Sequence, residues 1–151
     1  MNVTKQLRAQ HVQIAELIND INGSLKVGWV SENSDKLRSQ LAKLSGVLKI
    51  HLLMEDDHLY PLLMKSIDDD IAATAKRFKE EMGSLSDTFK GYSERWLRLK
   101  NIHDEAEDFV TETKAVFDAL VKRVIREDNE LYPLIEKEVV TGRTVGDPRG
   151  H

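Results

Sequence analysis

The spacing of its apolar residues constrains this chain most: along four long stretches they step four and then three positions, the pattern of one buried face per helix. The first stretch gives Leu7, His11, Ile14, Ile18, Ile21 and Leu25. The second gives Leu37, Leu41, Leu44, Leu48, His51, Glu55, His58 and Leu62. The third runs Ile71, Ala75, Phe78, Met82, Leu85, Phe89, Tyr92, Trp96 and Leu99, and the fourth Phe109, Thr113, Val116, Leu120, Arg123, Glu127, Glu130 and Leu134. Breakers fall between them, at Asn22-Gly23 through Gly28 to Ser34, at Asp68 to Asp70 and at Lys100 to Asp104. The expected fold is therefore all-α, an antiparallel up-down-up-down four-helix bundle over residues 1–140. Residues 141–151, TGRTVGDPRGH, carry no periodicity and are expected to form a mobile tail.

Composition removes most other classes. With 8 Gly and 3 Pro in 151 residues there is too little turn chemistry for a many-stranded sandwich or barrel. The absence of Cys excludes a disulfide framework, a thiol nucleophile and Cys-ligated zinc or iron–sulfur centres. A net charge of -4 without a basic patch argues against a nucleic-acid partner. No apolar run reaches membrane-spanning length, so no membrane partner and a cytoplasmic location are expected.

The second and fourth seams turn polar for three consecutive positions, and these interruptions repeat one another. HLLMEDDHLYPLL from His51 superposes on RVIREDNELYPLI from Arg123 with a constant offset of 72 residues, so that Glu55 matches Glu127 and Pro61 matches Pro133. Both prolines invite a kink. Hairpin pairing about the first and third breaks places His11, His51, Met82 and Arg123 in one layer. Glu55 and Glu127 fall in the next, and His58 and Glu130 in the one after. Carboxylates in a core require a counter-charge or a metal. In one reading Arg123 and protonated histidines neutralise the glutamates. In the other, His11, His51, Glu55, His58, Glu127 and Glu130 hold iron, manganese or zinc, His51 and Glu55 being i, i+4 and Glu55 and His58 i, i+3 on one helix face.

These stretches resemble the hemerythrin family, specifically the bacterial HHE cation-binding domains. LRAQHVQIAELI is similar to the family's first helix, HLLMEDDHLYPLL to its second and RVIREDNELYPLI to its fourth. The resemblance implies a non-haem di-iron site with Glu55 and Glu127 bridging, and with His11 and His51 on one iron. The other iron would take histidines where this chain has Met82 and Arg123. Two readings of that departure stand: Arg123 occupies the second metal's place, or His58 and Glu130 replace the lost ligands and shift the site along the bundle.

The expected function is a metal-binding or sensing domain that is not an enzyme, with iron as one or two ions and a small diatomic ligand such as oxygen or nitric oxide. The alternatives are another divalent metal, a ferritin-like di-iron oxidase, and a metal-free bundle with a protein partner. His103 reads as a capping or solvated residue, Trp29, Trp96, Tyr60 and Tyr132 as packing residues, and Asp68 as an N-cap.

Overall fold

The computed structural model describes residues 3–140, which fold as helices with no strand among them. The expected tail, 141–151, lies outside the described residues. Helix α1 spans Val3–Asn22. A short helix α2, Val27–Glu32, sits in the first connection, and α3 runs Ser34–Met54. There the helix widens into a π segment, Glu55–Leu59, before α4, Tyr60–Met64. Next come α5, Asp69–Met82, and α6, Leu85–Trp96; α7, Asn101–Asp104, then leads into α8, Ala106–Arg126. A second π segment, Glu127–Leu131, joins α8 to α9, Tyr132–Val140.

Helix α1 packs on α3 and α8, and α6 packs on the same two helices. Their seams close over one apolar core that includes Ile14, Leu41, Leu44, Trp96, Phe109 and Phe117, all essentially inaccessible. A second apolar cluster, with Leu7, Leu59, Leu63, Phe78, Leu131 and Ile135, lies at the end where α4, α5 and α9 meet. The polar residues of the interrupted seams lie on the stretches of α1, α3 and α8 that lead from the first cluster to the second.

The third stretch departs from a single continuous helix. It breaks at Gly83 and Ser84, between α5 and α6. The backbone there folds so close that a Cβ on Gly83 would lie 2.4 Å from the carbonyl oxygen of Lys79, which only glycine tolerates. Asp68 caps α5 as expected, its Oδ1 accepting from the backbone N–H of Asp70 at 2.9 Å and of Ile71 at 3.3 Å.

The π segments correct the register of the sequence reading. A proline inside an α-helix collides with the carbonyl four residues earlier and cannot donate to it. Pro61 and Pro133 therefore follow a widened turn, in which the N–H of Tyr60 reaches the carbonyl of Glu55 and that of Tyr132 reaches Glu127. The one-residue slip moves the buried positions from 58 and 62 to Leu59 and Leu63, and from 130 and 134 to Leu131 and Ile135. Leu62 is accordingly exposed.

Candidate metal centre

Four side chains from the polar stretch converge. His11 comes from α1, His51 from the last turn of α3, and Glu55 and Glu127 each open a π segment; all four are buried, the two carboxylates completely. One ligand atom from each lies within 4.8 Å of the others. His51 Nε2 is 2.9 Å from Glu55 Oε1, His11 Nε2 is 3.2 Å from Glu127 Oε1, and the two Nε2 atoms are 3.1 Å apart.

The outer nitrogens of both rings are engaged. His51 Nδ1 meets Gln10 Oε1 at 2.5 Å, and His11 Nδ1 meets Asp128 Oδ1 at 2.8 Å. Each acceptor assigns the Nδ1 proton, leaving both Nε2 lone pairs aimed into the cluster, the orientation metal-binding histidines take when an outer partner fixes the tautomer. Asp128 is itself braced by Arg8, whose Nη2 donates to its carbonyl at 3.2 Å while its guanidinium forks onto Glu136 with two contacts of 2.9 Å.

Electrostatics treat the two imidazoles differently. Burial is the largest influence on each. It drives His51 down to about 4, with the neighbouring His11 pushing the same way. For His11 burial is outweighed by the acceptors Glu127 and Asp128, and the net shift is upward. Burial and the charge of Glu55 raise the Glu127 carboxyl against the opposing influence of His11, Arg123 and Tyr60. A proton on His11 Nε2 and a cation between the rings are thus alternative ways to keep the two nitrogens from repelling one another.

Arg123 closes the other side. Its Nε donates to Glu127 Oε2 at 3.2 Å and its Nη2 to Glu55 Oε1 at 3.4 Å and Asp56 Oδ1 at 2.8 Å. Burial opposes the charge, but Glu127 and Glu55 more than offset it and the guanidinium stays protonated. Met82 is half-buried against the second apolar cluster.

The structure does not bring His58 and Glu130 to this cluster. Both are exposed. The π turn swings each outward by about one position: His58 lines an apolar pocket of about 360 Å³ with Leu7, Leu59 and Ile135, and Glu130 pairs with Arg126 at 3.0 Å. The expectation that they face inward, one turn beyond Glu55 and Glu127, is corrected accordingly. His103 is exposed beside Asp104, and Trp96 is buried in the core, both as expected.

Tyr60 and Tyr132 do more than pack. The Tyr132 hydroxyl donates to Glu55 Oε2 at 2.6 Å and lies 3.3 Å from His11 Nε2, and the Tyr60 hydroxyl donates to Glu127 Oε2. Asp56 and Asp128 are further partners that the seam analysis missed. The repeat carried the signal, since Asp56 matches Asp128 and Tyr60 matches Tyr132 at the same offset of 72. An α-helical count sets each tyrosine about 140° away from the glutamate five residues before it; the widened turn carries both toward one face, where each tyrosine meets the glutamate of the other repeat.

The donor set fits a divalent cation. Two imidazole nitrogens and two carboxylate oxygens suit iron, manganese or zinc, and the buried Glu127 Oε1, without a well-formed hydrogen bond, faces His11 Nε2 at 3.2 Å. A family model described as Hemerythrin HHE cation binding domain matches residues 2–135, and the chain belongs to that family. No curated protein and no solved structure matches the chain. Among the described residues no helix is long and apolar enough to cross a membrane.

Proposed function

We propose that this protein is a non-haem iron-binding domain holding one ion per chain between His11, His51, Glu55 and Glu127. It would sense iron or a diatomic ligand such as oxygen or nitric oxide in the cytoplasm rather than turn over a substrate. The arrangement is read as an antiparallel up-down-up-down four-helix bundle, with α3 continued by α4, α5 by α6 and α8 by α9. A bound iron would supply a Lewis-acidic, redox-active centre for such a ligand.

The observation that carries this reading is the convergence of two imidazole Nε2 atoms on two Glu Oε1 atoms, with every outer histidine nitrogen already donating. Gln10 and Asp128 orient the rings, and the π segments aim the glutamates. Arg123 supplies a fixed positive charge beside both carboxylates, and Coulomb repulsion disfavours a second divalent ion there. That favours the first of the two readings of the departed site, because His58 and Glu130 are too far turned outward to rebuild it. A ferritin-like di-iron oxidase would draw ligands from Glu55-x-x-His58 and Glu127-x-x-Glu130, and the second residue of each pair is exposed. The metal-free bundle remains as the competing reading, supported by Arg123 bonded to both glutamates.

Anaerobic titration of untagged protein with ferrous iron tests the choice. Saturable binding that His11→Ala and Glu127→Ala each abolish, with the helical circular dichroism retained, is expected. Binding unchanged in both variants would overturn the assignment of these ligands, and no binding by the unaltered chain would favour the interaction bundle.

A further inference from the structure

The oxygens of the two buried glutamates are divided between two kinds of partner. Each Oε1 faces an imidazole Nε2, at 2.9 Å for Glu55 and 3.2 Å for Glu127. Each Oε2 faces a tyrosine hydroxyl, and the pairing crosses the repeat: Tyr132 serves Glu55, and Tyr60 serves Glu127. The division is unequal. Arg123 adds a contact to each carboxylate but on opposite oxygens, Nε to Glu127 Oε2 at 3.2 Å and Nη2 to Glu55 Oε1 at 3.4 Å, so that Glu55 Oε2 has Tyr132 as its one hydrogen-bond donor among the described residues. Tyr132 is buried, and its ring is fixed from two sides, stacked on His11 with centroids 5.3 Å apart and covered by the Arg8 guanidinium at 5.4 Å.

A carboxylate can meet a cation through one oxygen or chelate it through both, and the choice sets coordination number and hence metal preference. We propose that Tyr132 is a positioning residue that decides this for Glu55: by holding Oε2 it presents Oε1 alone, and limits the site to two nitrogens and two single oxygens around one ion. The inference rests on the metal-binding reading above. Tyr60 does the same for Glu127 with Arg123 in reserve, so the two tyrosines are unequal in consequence.

Cobalt(II) is the probe, because its visible absorption is intense in four-coordinate sites and weak in six-coordinate ones. The full-length protein should bind one cobalt with an intense band. Tyr132→Phe should still fold and bind, but with the band reduced severalfold as the freed Oε2 moves onto the ion, and with affinity lower by roughly tenfold to a hundredfold, as for other outer partners of metal ligands. Tyr60→Phe should change the band little, because Arg123 keeps its oxygen. An unchanged band and affinity in Tyr132→Phe would overturn the proposal, as would a larger effect from Tyr60→Phe or a weak, six-coordinate band in the unaltered protein. Infrared spectra of the unaltered protein labelled with ¹³C-glutamate give a second reading that needs no variant: single-oxygen carboxylate bands on cobalt addition support the proposal, and chelating bands contradict it. No cobalt binding by the unaltered protein would instead remove the metal-binding reading, and this inference with it.

Discussion

At the scale of single residues, the site is a balance of formal charges. The buried Glu55 and Glu127 face Arg123 and the His11 imidazole, with Asp56 and Asp128 adding carboxylates at the edge, on Arg123 and on His11. A divalent ion bound there would compete with the proton that the raised His11 value favours, so uptake should release about one proton per metal. Because the His11 value is raised and that of His51 is lowered to about 4, His11 is the proton competitor near neutral pH. Affinity should therefore fall about tenfold per pH unit below the His11 value, and level off above it. Competition titrations between pH 5.5 and 8 check this, and a flat profile would contradict it. Arg123 has the complementary role. Replacing it with Met leaves two buried carboxylates without their fixed counter-charge, and should cost the metal-free protein about 3–5 kcal/mol in urea unfolding. His11, His51, Glu55 and Glu127 were legible in the sequence because each sits on a seam position where an apolar residue belongs. Asp56 and Asp128 were not, because they flank the seam and become partners only through side-chain reach.

At the scale of elements, one irregularity does most of the positioning. A strictly α-helical count sends His58 and Glu130 inward, and that count failed at both prolines for the same reason. The kink was legible in the sequence, but its form was not: a π turn adds one residue, and periodicity alone does not tell a bend from an insertion. The same turn carries Tyr60 and Tyr132 to the glutamates, so the outward turn of His58 and the inward turn of the tyrosines are a single event. The break between α5 and α6 was likewise hidden, since the apolar stripe of the third stretch runs through it without a gap. Its physical cause is local. Gly83→Ala forces a methyl group to within 2.4 Å of the Lys79 carbonyl oxygen and should destabilise the fold by about 1–3 kcal/mol, measured by denaturant unfolding. Asp68→Ala, which removes the acceptor for two N–H groups of α5, should cost about 1 kcal/mol by the same measurement.

At the scale of the whole molecule, helices from distant parts of the chain are tied together by a polar centre set between two apolar clusters. Its protonation should therefore show in global stability. His51 is neutral in the folded state with a value lowered from 6.5 to about 4, so its contribution is complete above pH 6.5 and is lost as pH falls toward 4. His11 has the opposite sign: its raised value favours the folded state at low pH, and that gain fades as pH rises through it. Between pH 6.5 and 4 the metal-free protein should lose on the order of 3 kcal/mol through His51, while the His11 contribution, already complete below pH 6.5, stays constant. A His51→Phe variant should lose less over that interval, as read from urea midpoints at each pH.

The proposed centre holds one metal per chain between two histidines and two glutamates, with Arg123 standing where a second ion would be. Elemental analysis of untagged protein, loaded anaerobically with ferrous iron and freed of excess, tests it most directly. One tightly held iron per chain is predicted, with a second appearing only when Arg123→His and Met82→His are combined. Two irons in the unaltered chain would contradict the role given to Arg123, and none under any loading condition would contradict the metal site itself.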